Sequence, residues 1–143
     1  MIGKCNPLNI RNSSGFSWNG QSGSTRGFAD FTTTEMCRRA GLYLLRRSYR
    51  RAGCFTIEKI LYRWAPQSEN DTENYIKFVC SMTGFKRTDH LTFDSDFAAV
   101  LAAMEIMEQG IGAMFRKRYF EGAKEAYLGI IDKFNIRNDA FKG

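Results

Sequence analysis

The sequence lacks the residue patterns of several enzyme classes. Its 143 residues include one histidine, His90, and four cysteines, no two of which form a C-x-x-C pair. A zinc site is therefore not expected, because zinc sites need cysteine or histidine ligands at short spacing. No G-x-S-x-G, Walker or dinucleotide-binding motif occurs. Serine-nucleophile, P-loop and dinucleotide chemistry are consequently not predicted, and we expect neither a metal nor a cofactor.

The chain also lacks long apolar runs. None approaches the roughly 18 residues that a membrane span requires, so no span is expected. The first eleven residues, MIGKCNPLNIR, contain no long apolar segment of the secretory type. We expect a protein made in the cytoplasm that reaches the outside of a cell only by lysis, by injection or inside a particle. Cys37 and Cys80 fall on apolar helix faces, which favours reduced, buried thiols over disulfides.

What the chain does have is apolar surface and positive charge. Hydrophobic residues make up 43% and aromatic residues 14% of the sequence, which is enough for a folded core. The net charge is +6, and six arginines fall within residues 38–51. This charge favours anionic partners: nucleic acid, acidic wall polymer or an acidic protein. The arginines of the predicted helix lie mostly opposite its apolar stripe, where a solvated face is the simplest interpretation.

Residue patterns predict a mainly α-helical single domain of about five helices. We divide residues 1–143 into an irregular limb (1–31), a helical core (32–110) and a helical C-terminal extension (111–143). A short hairpin is predicted near Asn19-Gly20. Residues 32–35 match a capping box in which Glu35 reaches back to the helix start. Four further helices are expected. One begins after Thr56 and ends at Pro66, and the next runs from Asn70 or Asp71 to Gly84. The third starts from an N-cap at Asp94 and contains the most apolar segment, and the last lies within residues 119–134.

Several short strings together resemble a family of small phage and prophage proteins. NPLNIR occupies residues 6–11, and RWAP at 63–66 is followed by Glu69, Asn70 and Thr72. Members of this family are commonly labelled virion structural proteins, and some are labelled peptidoglycan-degrading, lysozyme-like proteins. The resemblance covers roughly residues 5–85. It implies a lysozyme-like helical domain that acts at the bacterial wall, in the virion or in the periplasm.

The resemblance makes two glutamates candidates for the acid that cleaves a glycan bond. Such an acid must stay protonated near neutral pH, which an apolar pocket favours. Glu35 lies close in sequence to Phe28 and Phe31, but the capping role is the favoured interpretation. Glu69 follows Pro66 in a polar segment that is either a sugar-binding cleft or a solvated connection between helices.

The remaining candidate residues would bind the glycan. They are Trp64, Asn70, Thr72, Tyr75, Trp18 and Arg11. The indole rings suit a sugar face, and the small polar side chains suit its hydroxyl groups. Arg11 is alternatively a partner for Glu35 or Glu69, and Asn6 and Asn9 are expected to brace the limb.

The sequence leaves three functions open. The first is a lysozyme-like module that cleaves or binds peptidoglycan glycan chains. The second is a non-catalytic virion component that uses the arginine-rich helix, and residues 111–143, to assemble with other virion proteins. Nucleic-acid binding ranks third, because no recognised binding module occurs and Tyr43 and Tyr49, which lie among the arginines, are thin support for it.

Overall fold

A computed structural model describes residues 1–67 and 71–134 of the chain, and helices, five of them α-helices, make up most of this part. A π-helix over Leu44–Tyr49 continues the first α-helix, and a 3-10 helix over Ala113–Phe115 precedes the last. The prediction of a mainly α-helical fold with about five helices is confirmed. No helix in the two described ranges is long and apolar enough to cross a membrane. The five helices are α1 (Thr34–Tyr43), α2 (Ile57–Trp64), α3 (Thr72–Thr83), α4 (Asp94–Gln109) and α5 (Arg116–Lys133).

Helix α4 is the centre of the core. Every residue from 97 to 106 is buried, and α1, α3 and α5 pack around it. The long apolar segment FAAVLAAMEIM causes this placement, because a helix that is apolar all round has to be covered on every side. From α5, Tyr127, Ile130 and Ile131 join the same core cluster.

Two strands, β1 (Gln21–Thr25) and β2 (Phe28–Phe31), form an antiparallel hairpin before α1. The predicted turn at Asn19-Gly20 is wrong, since the hairpin turns at Arg26 and Gly27. Both turn residues have positive φ (51° and 84°), as a two-residue hairpin turn requires. Asp30 fixes this register, because its carboxylate accepts hydrogen bonds from the Thr25 hydroxyl and the Lys4 amide.

The NPLNIR segment is held to the body by its asparagines. The Asn6 side chain is fully buried, and its amide nitrogen donates to the carbonyls of Ile10 and Ala29. Its oxygen accepts from the Ile10 amide and from the Cys37 thiol. Asn9 (φ +52°) donates to the Glu108 carboxylate at the end of α4. The structure thus confirms the bracing role expected for Asn6 and Asn9.

Helix starts follow the predicted chemistry with two exceptions. Thr56 caps α2 through the Lys59 amide, as expected. At α1, however, the cap is Thr33, which accepts from the Met36 amide. The third residue of α1 is therefore Met36, so the reciprocal glutamate of a capping box is missing.

The cap of α4 also differs from the prediction. Asp94 is the first residue of the helix rather than its N-cap, and the Asp96 carboxylate accepts from the Phe93 amide at 2.9 Å. Asp94 is instead engaged by Arg46, whose guanidinium lies 2.7 Å away. A carboxylate can serve the helix start from inside the first turn as well as from the cap.

Candidate functional site

A groove lies between residues 16–19 of the limb and α1 with its π-helical continuation. Its volume is about 410 Å³, within the range of small-ligand sites. Three aromatic side chains and three arginines supply most of its functional groups, and no carboxylate is among its described lining residues. These six residues are Phe16, Trp18, Tyr43, Arg39, Arg46 and Arg47.

The aromatic side of the groove is a row of edge-to-face contacts. The ring centroids of Phe16 and Trp18 lie 4.7 Å apart, and those of Trp18 and Tyr43 lie 5.7 Å apart. Edge-to-face packing is a favoured geometry for aromatic pairs, so the three rings hold each other in place. Phe16 and Tyr43 are still 51% and 46% exposed, which leaves ring surface open to a ligand.

The arginine side of the groove has one buried and two accessible cations. Arg46 is buried, and its ion pair with Asp94 balances its charge. Arg47 is exposed, with its guanidinium 5.7 Å from the Tyr43 ring. Arg39 lies 4.3 Å from the Phe134 ring. The open part of the groove is consequently both aromatic and positively charged.

The arginine-rich segment is not the uniform solvated face that its helical periodicity indicates. Arg38 is only 18% exposed and Arg46 only 3%, and both form ion pairs inside the molecule. Arg46 lies inside the π-helix at Leu44–Tyr49. A π-helix turn is wider than an α-turn, so side chains beyond it no longer follow the 3.6-residue period.

Glu35 lies outside the groove. It is the second residue of α1, its side chain is 37% exposed, and its carboxylate pairs with Lys133 of α5 at 3.0 Å. The aromatic residues expected to surround it, Phe28 and Phe31, belong to β2. This exposed, ion-paired position is not the apolar pocket that a glycan-cleaving acid is expected to occupy.

The second candidate acid and its neighbour lie outside the described residues: these are Glu69 and Asn70. Residues on either side of this segment are described, and their polar groups are used internally. The Thr72 hydroxyl donates to the Ala65 carbonyl, and the Tyr75 hydroxyl donates to Glu108 at 2.8 Å. Trp64 packs against Tyr49, with ring centroids 6.3 Å apart.

Of the predicted glycan-binding residues that the structure describes, only Trp18 lines the groove. Arg11 lies elsewhere on the limb, bridged to Phe28 of β2, with its guanidinium 5.1 Å from that ring. Trp64, Thr72 and Tyr75 belong to the α2–α3 region. The structure therefore does not bring these five described candidates together into one site.

A buried charge cluster that sequence analysis missed lies behind α1. Glu105, fully buried in the middle of α4, accepts two hydrogen bonds from Arg38 of α1 at 2.9 and 3.0 Å. The hydroxyls of Tyr119 and Tyr127, both on α5, also donate to it. The signal was present in the sequence, since a glutamate inside the most apolar helix has to find partners.

Electrostatic effects keep the arginine and the two tyrosines of this cluster protonated, so that they can donate hydrogen bonds to the carboxylate. Burial favours the neutral guanidinium of Arg38, but the bonds to Glu105 outweigh it and hold its pKa above the ordinary value. Burial, followed by the charge of Glu105, raises the pKa of Tyr119 and of Tyr127. Both tyrosines therefore remain protonated donors at neutral pH, and the cluster joins three helices rather than forming an open reactive site.

Comparison with known proteins identifies a phage relative. No protein-family model matches the chain. The chain is 43% identical to Protein P5 of Pseudoalteromonas phage PM2 over 109 residues, which cover 73% of this chain and 68% of that protein. The resemblance to phage proteins is thereby confirmed at the level of the family. The chain belongs to the family of Protein P5 of Pseudoalteromonas phage PM2.

Proposed function

We propose that the chain is a non-catalytic component of a phage particle, docked to an acidic protein surface through the connection between α4 and α5. The observation that carries this proposal is the surface at residues 113–118, here called the tip. Met114 is 87% exposed and Phe115 61% exposed. Arg116, Lys117 and Arg118 follow immediately and are all exposed.

Such a tip combines the two ingredients of a docking surface. Adjacent large apolar side chains on a surface usually mark a contact with another molecule. Neighbouring cations speed and orient the approach of an acidic partner. Gly110, with a φ of +62°, ends α4 and turns the chain into this connection.

The sequence analysis expected the arginine-rich helix to bind other virion proteins, and in this proposal the tip does so instead of part of that helix. Arg38 and Arg46 of that helix are used inside the molecule, so their charges are not available to a partner protein. Assembly through residues 111–143, the other half of the same hypothesis, agrees with the exposure of Met114 and Phe115.

Particle incorporation tests the proposal. A phage expressing the double variant Met114→Ser/Phe115→Ser would be compared with one expressing Phe93→Ser, since Phe93 is 69% exposed but lies at the other end of α4. We expect the tip variant to fall by about tenfold in gradient-purified particles, and the Phe93 variant to be unchanged. Equal incorporation of both variants would refute docking through the tip.

Wall cleavage is the second candidate, carried by the RWAP box and its polar neighbours at Glu69, Asn70 and Thr72. In that case the chain would be a lysozyme-like hydrolase, with Glu35 or Glu69 as the acid and Trp64 and Tyr75 beside the glycan. Zymography on purified peptidoglycan with Glu35→Gln and Glu69→Gln distinguishes the two functions. We expect no clearing by the unaltered chain, whereas clearing that one glutamine variant abolishes would favour the hydrolase.

A further inference from the structure

We infer that the groove between residues 16–19 and α1 binds a nucleotide unit of single-stranded nucleic acid, with a base against the Phe16 and Tyr43 rings and a phosphate beside Arg39 and Arg47. This site is separate from the tip and requires neither the docking role nor wall cleavage. The order of the sequence does not reveal it, because Phe16 and Trp18 come from a segment about 20 residues before the helix that carries Tyr43 and the arginines.

Charge selects an anionic ligand. Two arginines, Arg39 and Arg47, line the accessible part, and none of the described lining residues is acidic. The third arginine, Arg46, is buried against Asp94 and fixes the base of the groove. Planar guanidinium groups bind phosphate, as they bind carboxylate, through two parallel hydrogen bonds.

The rings select a flat ligand rather than a simple anion. Phe16 and Tyr43 are each about half exposed, while Trp18 holds both by edge contacts. Half-exposed rings beside cations are the arrangement by which proteins bind single strands, since every base can stack whatever its identity. An acidic peptide would use the two guanidinium groups but would leave the ring faces uncovered.

This arrangement strengthens the thin support that the sequence analysis found for nucleic acid. Tyr43 lies among the arginines in the sequence, and the limb brings two more aromatic rings, Phe16 and Trp18, to the same surface. The limb is positioned by contacts of its own, among them the hydrogen bond from the Gln21 amide to the Trp18 carbonyl at 3.0 Å and from Thr32 to Gly20 at 2.8 Å. The groove is therefore part of the folded structure before a ligand arrives.

Fluorescence anisotropy with a fluorescein-labelled oligothymidylate tests the inference. Phe16→Ala is paired with Phe93→Ala, an exposed phenylalanine outside the groove. Arg47→Gln is paired with Arg63→Gln, because both arginines are exposed and both lie over a tyrosine ring, at 5.7 and 5.0 Å. Each pair thus removes the same chemical group inside and outside the groove.

We expect Phe16→Ala to weaken binding by about tenfold, the usual effect of removing one stacking ring, and Phe93→Ala to leave it unchanged. Arg47→Gln should also weaken binding and lower the slope of log affinity against log salt by about 0.7, as for one lost phosphate contact. Arg63→Gln should have neither effect.

Three results would overturn the inference. The first is no anisotropy change at low salt with the unaltered chain. The second is equal affinity of Phe16→Ala and Phe93→Ala, which would leave the rings without a role. The third is displacement of the oligonucleotide by polyglutamate at an equal concentration of charges, which would show a surface that responds to charge alone.

Discussion

At the scale of the residue, the chain uses its glutamates to join elements together. Glu105 links α4 to Arg38 and to two tyrosines of α5. Glu108 links α4 to Asn9 of the limb and to Tyr75 of α3. A buried carboxylate with four hydrogen bonds is expensive to disturb, because removing its charge leaves a mostly buried guanidinium unpaired.

Glu105→Gln should lower the free energy of unfolding by about 3 kcal/mol, the usual cost of breaking a buried ion pair from one side. Urea denaturation followed by circular dichroism measures this change. The control is Glu125→Gln, an exposed glutamate on α5 that should shift stability by less than about 0.5 kcal/mol. A Glu105→Gln variant as stable as the control would show that the cluster does not support the fold.

Another glutamate, Glu73, makes the stability of the folded chain depend on pH in the acid range. Hydrogen bonds from Arg87, and then from the Tyr62 hydroxyl, lower the pKa of Glu73 from its ordinary 4.5 to about 2. Since the carboxylate binds protons less readily in the folded chain than in the unfolded one, its stabilising effect is complete above pH 4.5. The effect is then lost as the pH falls towards 2.

The melting temperature of wild type and of Glu73→Gln should therefore converge between pH 4.5 and pH 2. Above pH 4.5 the variant should melt lower by a constant amount, because it lacks one of the two carboxylates, Glu58 and Glu73, that pair with Arg87. Thermal unfolding measured across this range tests the claim. A difference that stays constant down to pH 2 would contradict the assigned ion pair.

At the scale of the element, α1 is the helix on which the other parts meet. Its Gly41 allows this, because a Cβ atom added there would come within 2.4 Å of Leu8 in the limb and 3.3 Å of Leu101 in α4. A sequence pattern cannot show how close these neighbours are, because Leu8 and Leu101 are far from Gly41 in the chain. Close approach of helix to limb depends on the missing side chain.

Gly41→Ala should destabilise the chain by about 1–3 kcal/mol through overpacking. Gly122→Ala, in the interior of α5 with nothing near the added methyl group, should instead stabilise it by about 0.5–1 kcal/mol through helix propensity. Denaturant midpoints of the two variants are the readout. A loss of stability in Gly41→Ala together with a gain in Gly122→Ala would support the packing argument, and a Gly41→Ala variant that is stabilised would contradict it.

At the scale of the whole molecule, local signals in the sequence predicted the secondary-structure elements but not the contacts between them. Thr56, Pro66 and Gly84 marked real helix ends because capping and termination depend on neighbouring residues alone. The groove and the Glu105 cluster could not be predicted in this way. Trp18 meets Tyr43 across 25 positions, and Arg38 meets Glu105 across 67, so both contacts depend on how the helices pack.

The quantity of this protein in purified particles tests the central claim most directly. Quantitative mass spectrometry would compare the chain with the major coat protein across the fractions of a density gradient. A phage-particle component should show a fixed ratio to the coat protein in every infectious fraction, and the Met114→Ser/Phe115→Ser variant should be depleted from those fractions. A chain that is abundant in the lysate but missing from particles would contradict this account.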